Sequence, residues 1–188
     1  KNVNTLAKLL AEEDIYVVNK KVQTAAFDVL NRELILPIWK DMSDNIVDLM
    51  TLHEVGHALW TPLSMLETAK KENIEFSFVN VLEDVRIEKF IQSKYKGAVK
   101  LFNFFQTDGK DISSYNLIDR INLNYKHHSD IPFSEIEKVW VEKANKTVTP
   151  DDVLALAKEI YKFIEENEDS QAKVEDETAA SFEADDET

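Results

Sequence analysis

Thr51-Leu52-His53-Glu54-Val55-Gly56-His57-Ala58-Leu59-Trp60 is the stretch on which the reading of this chain turns. On a helix, residues four apart stand one above the other. His53 and His57 therefore share a face, where two imidazoles can grip one metal ion with Glu54 beside them. The alternative is an ordinary helix that happens to carry two histidines and a glutamate at these places. A short pattern of this kind recurs in unrelated chains, so its neighbours have to decide.

The helix should start at Ser43 or Asp44 and run to about Trp60, because Thr61-Pro62 stops it. Apolar residues fall on both its sides, with Leu52, Val55 and Leu59 opposite the histidines and Ile46, Met50 and Trp60 on their side, which predicts a central helix rather than a surface one. A histidine pair on a buried helix needs polar partners or a metal. Gly56 lowers helix propensity in the middle of the motif, and its expected use is a close approach by another element.

Upstream, Ile15 to Val18 and the runs Thr24 to Leu30 and Glu33 to Trp39, the last two flanking Asn31-Arg32, predict a small antiparallel sheet with a hairpin turn. Pro37 demotes its strand toward an edge, since proline cannot donate to a ladder. A short amphipathic helix is expected over Asn4 to Glu13. Downstream, a loop carrying Lys70 to Asn73 leads into Phe76 to Ile91, a second helix apolar nearly all round. That helix also holds Asn80, Glu83, Asp84, Arg86 and Glu88, and charges in so apolar a setting are costly unless paired or bound to a metal. Further helices are expected over Ala98 to Phe105, over Ser114 to Leu123, from Ser134 with a capping box to Glu137, and from Thr149-Pro150 to about Glu166.

A metal held by His53 and His57 needs a third protein ligand, with a fourth position open. The Asn80 to Glu88 segment is the natural donor, and both Glu83 and Asp84 are candidates. Spacing favours Asp84, because Glu88 then lies one turn on and can accept a hydrogen bond from a histidine N–H. Glu83 makes a sensible buried ion pair with Arg86 at i,i+3, and it stays as the alternative ligand. Asn80, one turn before Asp84, is a further supporting group.

The 188 residues carry a net charge of −14, which argues against binding nucleic acid or an anionic membrane through bulk electrostatics. From Glu165 onward eleven acids stand against Lys173, so ten of the fourteen net negative charges sit in this last stretch. Residues 1–166 are read as a single domain and 167–188 as an acidic tail or linker, expected to be disordered. There is no cysteine, so any metal must be held by histidine and carboxylate. No apolar run reaches spanning length. The absence of an initial Met and the acidic end suggest a fragment of a longer protein.

Thr51 to Trp60, followed by Asn80-Val81-Leu82-Glu83-Asp84-Val85-Arg86-Ile87-Glu88, resembles the zincin-like metallopeptidase domains of bacteria and phages that accompany von Willebrand factor A domains. In one such group the second motif reads Asn-x-x-x-Asp-x-x-Ile-Asn, which places its aspartate on Asp84, while Glu88 departs from the final Asn. Leu82, Glu83, Arg86 and Glu88 are also similar to the Leu-Glu-x-x-Arg-x-Glu of the cobaltochelatase T-subunit family, whose members lack the histidine pair. The resemblance spans about Ala25 to Phe133 and is specific at the two motifs. It implies a mainly helical α+β fold and a Zn2+-dependent peptidase in which Glu54 is the general base. It also implies a protein or peptide substrate, aligned along an edge strand such as Glu33 to Ile38. The expected setting is the cytoplasm of a bacterial or infected host cell, with a von Willebrand factor A-type domain outside this chain as the expected partner. Oxyanion stabilisation falls to a Tyr or His, with Tyr125 and His127 named from a pool that includes Tyr95, Tyr115 and His128. The rival reading is a non-catalytic metal-binding or assembly module that retains the zincin scaffold.

Overall fold

The computed structural model describes residues 15–22, 25–38, 44–94, 115–127 and 131–167. In chain order these form strands β1 (Tyr16–Lys20), β2 (Ala26–Asp28) and β3 (Glu33–Pro37). Helices α1 (Asp44–Trp60), α2 (Leu63–Lys71), α3 (Phe76–Lys94), α4 (Leu117–His127), α5 (Glu135–Asn145) and α6 (Pro150–Glu166) follow. The fold is mainly helical with a small sheet, as the sequence leads one to expect of an α+β chain. The helices expected over Asn4 to Glu13 and Ala98 to Phe105, and the tail after Asn167, lie outside the described residues.

β2 and β3 form the expected antiparallel hairpin, with Phe27 opposite Leu34. Its turn is wider than Asn31-Arg32 alone: Asp28 and Glu33 are the last pair, so Val29 to Arg32 make the loop. Asp28 closes that loop by accepting from the Asn31 backbone N–H (2.9 Å) and side-chain amide (2.8 Å), and Arg32 takes φ 56°. The sheet is mixed rather than antiparallel, because β1 pairs with β3 in parallel and the strand order is β1-β3-β2. β3 is thus the central strand, which corrects the expectation that Glu33 to Ile38 forms an edge. Pro37 is tolerated there because it is the last residue of the strand, opposite Lys20, and the next N–H, that of Ile38, donates to Lys20 O at 3.0 Å.

Leu34 and Leu36 alternate inward along β3 and join Ile15, Ala25, Phe27, Val55 and Ala58 in one core cluster, so the sheet lies on α1. Past Pro62 the chain turns at once into α2, a helix not expected from the sequence, whose last two residues overlap the loop expected over Lys70 to Asn73. Its buried side is only Met65 and Ala69, four residues apart on a polar nine-residue segment, a signal too thin to stand out.

α3 packs against every other described helix, which accounts for its lack of a solvent face: all residues from Val81 to Glu88 are buried. A second core cluster joins Phe78, Val79, Leu82 and Val85 of α3 to Ile118 and Ile121 of α4, Ala144 of α5, and Leu154, Ala157 and Ile160 of α6. The Ser134–Glu137 capping box is present as expected, and α6, expected from Thr149-Pro150, carries a second one. Ser134 Oγ accepts from Glu137 N–H, whose carboxylate accepts from Ser134 N–H, and Thr149 and Asp152 do the same for α6 with Pro150 in the first turn. No described helix is long and apolar enough to cross a membrane.

Candidate metal centre

The centre lies where α1 crosses α3. A β-carbon built on Gly56 would fall 2.3 Å from Ile87 Cγ2 and 2.7 Å from Ile91 Cδ1, so only glycine lets the two helices sit this close. Asp84, Ile87, Glu88 and Ile91 share a face of α3 at helical spacing, and the contact at Gly56 brings Asp84 up to both histidines.

His57 Nε2 lies 3.1 Å and His53 Nε2 3.3 Å from the same oxygen, Asp84 Oδ1. The two rings meet edge to face, with centroids 5.0 Å apart. His53, His57 and Asp84 each offer one ligand atom, all within 4.8 Å of one another, and form a cluster that could hold a metal ion. His57 and Asp84 are buried and His53 nearly so.

The remaining expected residues take distinct places. Glu54 is buried beside the pair, and its charge is among those acting on His53. Glu88 Oε1 stands 3.9 Å from His53 Nδ1, a charge pair longer than a hydrogen bond. Asn80 lies half-buried one turn before Asp84. Glu83 does not join the cluster: its carboxylate accepts from Arg86 Nε at 3.0 and 3.2 Å, from Arg86 Nη2, and from Thr61 Oγ1 at 3.2 Å. Tyr125 is half-buried on α4, and burial together with the Glu88 charge pushes its hydroxyl up to about 12. His127 ends α4, with only its backbone described, and His128 and Tyr95 lie outside the described residues.

The charges around the cluster favour a positive charge within it. Burial alone would lower His53, but the Asp84 carboxylate, with smaller help from Glu54 and Glu88, raises it to about 9. Asp84 responds in the opposite sense: burial would raise it, and the two imidazoles outweigh that and hold it well below the ordinary carboxylate range. His57 is lowered, chiefly by burial, with His53 adding to the effect against Asp84. Without a metal, one proton lodged at His53 supplies the positive charge this pocket calls for.

Thr61 is the residue the sequence reading missed. Its hydroxyl sits 3.0 Å from His57 Nδ1 and donates to Glu83 Oε1. The available signal was its position four residues after His57, on the same helical face, at a place read only as a helix stop. A scan of family models, a search of curated proteins and a search of solved structures each return no match for this chain.

Proposed function

We propose that this chain is a zinc-dependent peptidase domain in which His53, His57 and Asp84 bind the ion and Glu54 is the general base. The observation that carries the reading is the convergence of two imidazole Nε2 atoms on one buried carboxylate oxygen, with a second buried carboxylate beside them. Two ligand atoms bound about 2.0–2.1 Å from a tetrahedral zinc ion stand about 3.3–3.4 Å apart. The Nε2 to Oδ1 separations of 3.1 and 3.3 Å are close to that edge length, and two imidazoles with one carboxylate suit the ion in chemistry.

When bound, zinc supplies Lewis acidity toward a water molecule and a peptide carbonyl. Glu54, next to His53 in the chain, takes the water's proton and passes it to the leaving amine nitrogen. Glu88 favours the placement of His53 by charge. Tyr125, held protonated across the neutral range, is a hydrogen-bond donor suited to a developing oxyanion, and His127 is the second candidate for that role. An extended substrate finds no free side on β3. β2 packs on α1 and has β3 as its one partner among the described strands, so it is the better aligned edge. A von Willebrand factor A-type partner outside this chain belongs to the same reading.

The test combines metal analysis with a peptide-library assay. Glu54→Gln should keep bound zinc and lose about 10²- to 10⁴-fold in cleavage, while Asp84→Ala should lose the zinc. Bound zinc with no Glu54-dependent cleavage would favour the non-catalytic module. Full zinc occupancy in Asp84→Ala with loss in Glu83→Ala would overturn the ligand assignment.

A further inference from the structure

We propose that Thr61 is a positioning residue for this centre: its hydroxyl, locked between His57 Nδ1 and Glu83 Oε1, holds His57 in the tautomer whose Nε2 lone pair faces Asp84. The inference deepens the metal-centre reading and rests on it, since an aimed lone pair matters only where a cation is held.

The tautomer follows from counting protons. Glu83 Oε1 accepts from Arg86 Nε (3.0 Å) and from Arg86 Nη2, so it faces Thr61 as an acceptor, and the one hydroxyl proton of Thr61 goes to it at 3.2 Å. In that arrangement the Thr61 oxygen accepts at 3.0 Å from His57 Nδ1, which carries the hydrogen. A neutral imidazole with Nδ1–H has a bare Nε2. In that tautomer the bare nitrogen faces Asp84 Oδ1 at 3.1 Å, and a cation between the two would be bound by both.

The relay is built from several elements. Thr61 is buried. Its backbone N–H closes the last turn of α1 onto His57 O at 3.0 Å, and Pro62 then ends the helix, which fixes the hydroxyl one turn beyond the ring. Behind Glu83, Arg86 also donates to Trp60 O at 2.6 Å and to Val148 O at 3.1 Å. The guanidinium thereby ties the end of α1 and the turn before α6 to the same carboxylate. A buried ion pair is poor value as plain stabilisation against apolar packing of the same volume; fixing the orientation of one metal-facing histidine gives this pair a use. It also explains why Glu83, although next to Asp84, is committed away from the ion.

The experiment reads the His57 ring directly in metal-free, 15N-labelled protein at about pH 8, using long-range proton–nitrogen correlation spectra. Wild type and Thr61→Ser should show a protonated Nδ1 and a bare Nε2, and Thr61→Val should move the proton to Nε2, where Asp84 accepts it. Zinc affinity, measured by chelator competition, should fall about 10- to 100-fold in Thr61→Val, as on loss of a group that orients a ligand, and recover in Thr61→Ser. A wild-type His57 with its proton on Nε2 overturns the proposal, as does a Thr61→Val protein with unchanged ring spectrum and zinc affinity. Should Thr61→Val not fold, the wild-type and Thr61→Ser spectra decide. Because the ring is read without metal, failure of wild type to bind zinc defeats the metal-centre reading separately.

Discussion

Gly56→Ala tests whether the α1–α3 contact sets the geometry of the centre. Carbon atoms rest about 3.5–4.0 Å apart, so a β-carbon 2.3 Å from Ile87 Cγ2 requires a retreat of about 1.2–1.7 Å there. Ile87 and Ile91 are fully buried. Moreover, Cγ2 is bonded directly to the Ile87 β-carbon, so the relief must come largely from helix displacement. Overpacking of this kind costs about 1–3 kcal/mol, while alanine returns about 1 kcal/mol of helix propensity. The net change therefore runs from nearly neutral to a loss of about 2 kcal/mol in urea unfolding of the metal-free protein. Zinc affinity is the sharper readout, because Asp84 rides on α3 one turn before Ile87 and metal–ligand distances tolerate only about 0.2 Å. Chelator competition should show a loss of more than about tenfold, partly restored when Ile87→Ala removes the opposing methyl group, so that a double-mutant cycle shows coupling. A Gly56→Ala protein about 1 kcal/mol more stable than wild type, with unchanged zinc affinity, would refute the argument.

If the centre binds zinc as proposed, zinc and a proton compete for His53. With His53 raised to about 9, apparent zinc affinity should climb about tenfold per pH unit until about that value, and calorimetry in buffers of different ionisation enthalpy should detect one proton released near neutrality; an affinity flat across the neutral range would count against the pairing. In the metal-free protein the same raised group contributes stability that is complete below about 6.5 and is lost as pH rises through about 9, and Asp84→Asn should abolish that slope in pH-dependent unfolding. Arg86→Met leaves the Glu83 carboxylate buried without its cation and should cost about 3–5 kcal/mol in urea unfolding; a loss under about 1 kcal/mol would show that the pair contributes little to the fold. On the acid side, Glu137 is partly buried, but its bonds to Arg120 and Ser134 hold its carboxyl low. Its contribution is thus present above the ordinary carboxylate range and lost as pH falls through the folded value, and acid unfolding of Glu137→Gln should show a shallower slope.

Much of this was legible because it depends on local spacing. The ends of α1 followed from Ser43 or Asp44 and from Thr61-Pro62, the start of α5 from its capping box and that of α6 from Thr149-Pro150, since caps and helix breakers act within a turn. The close approach at Gly56 could be anticipated from the propensity it sacrifices, though not its partners Ile87 and Ile91. What could not be read depends on pairing at a distance. A five-residue β1 carries no directional signal, so neither its parallel place beside β3 nor the loss of β3 as an edge could be read from local spacing. Thr61 was hidden for a similar reason: a threonine before proline reads as a stop, and its hydroxyl gains meaning only when α3 brings Glu83 to it.

The two carboxylates that stand side by side in the sequence are separated by what each has behind it. Glu83 faces a permanent cation, Arg86, which also holds carbonyls at the end of α1 and before α6, so its charge is answered from within the chain. Asp84, one residue on, turns about 100° around the helix to meet two imidazoles whose positive charge is conditional. A buried carboxylate there is stabilised by a cation, whether a proton at His53 or, as proposed, a metal held by all three. A fold seeking stability alone could have answered Asp84 with a second arginine. Leaving that charge to be met by an exchangeable cation, beside the further buried acid Glu54, is the physical argument that this part of the core is a site as well as a support.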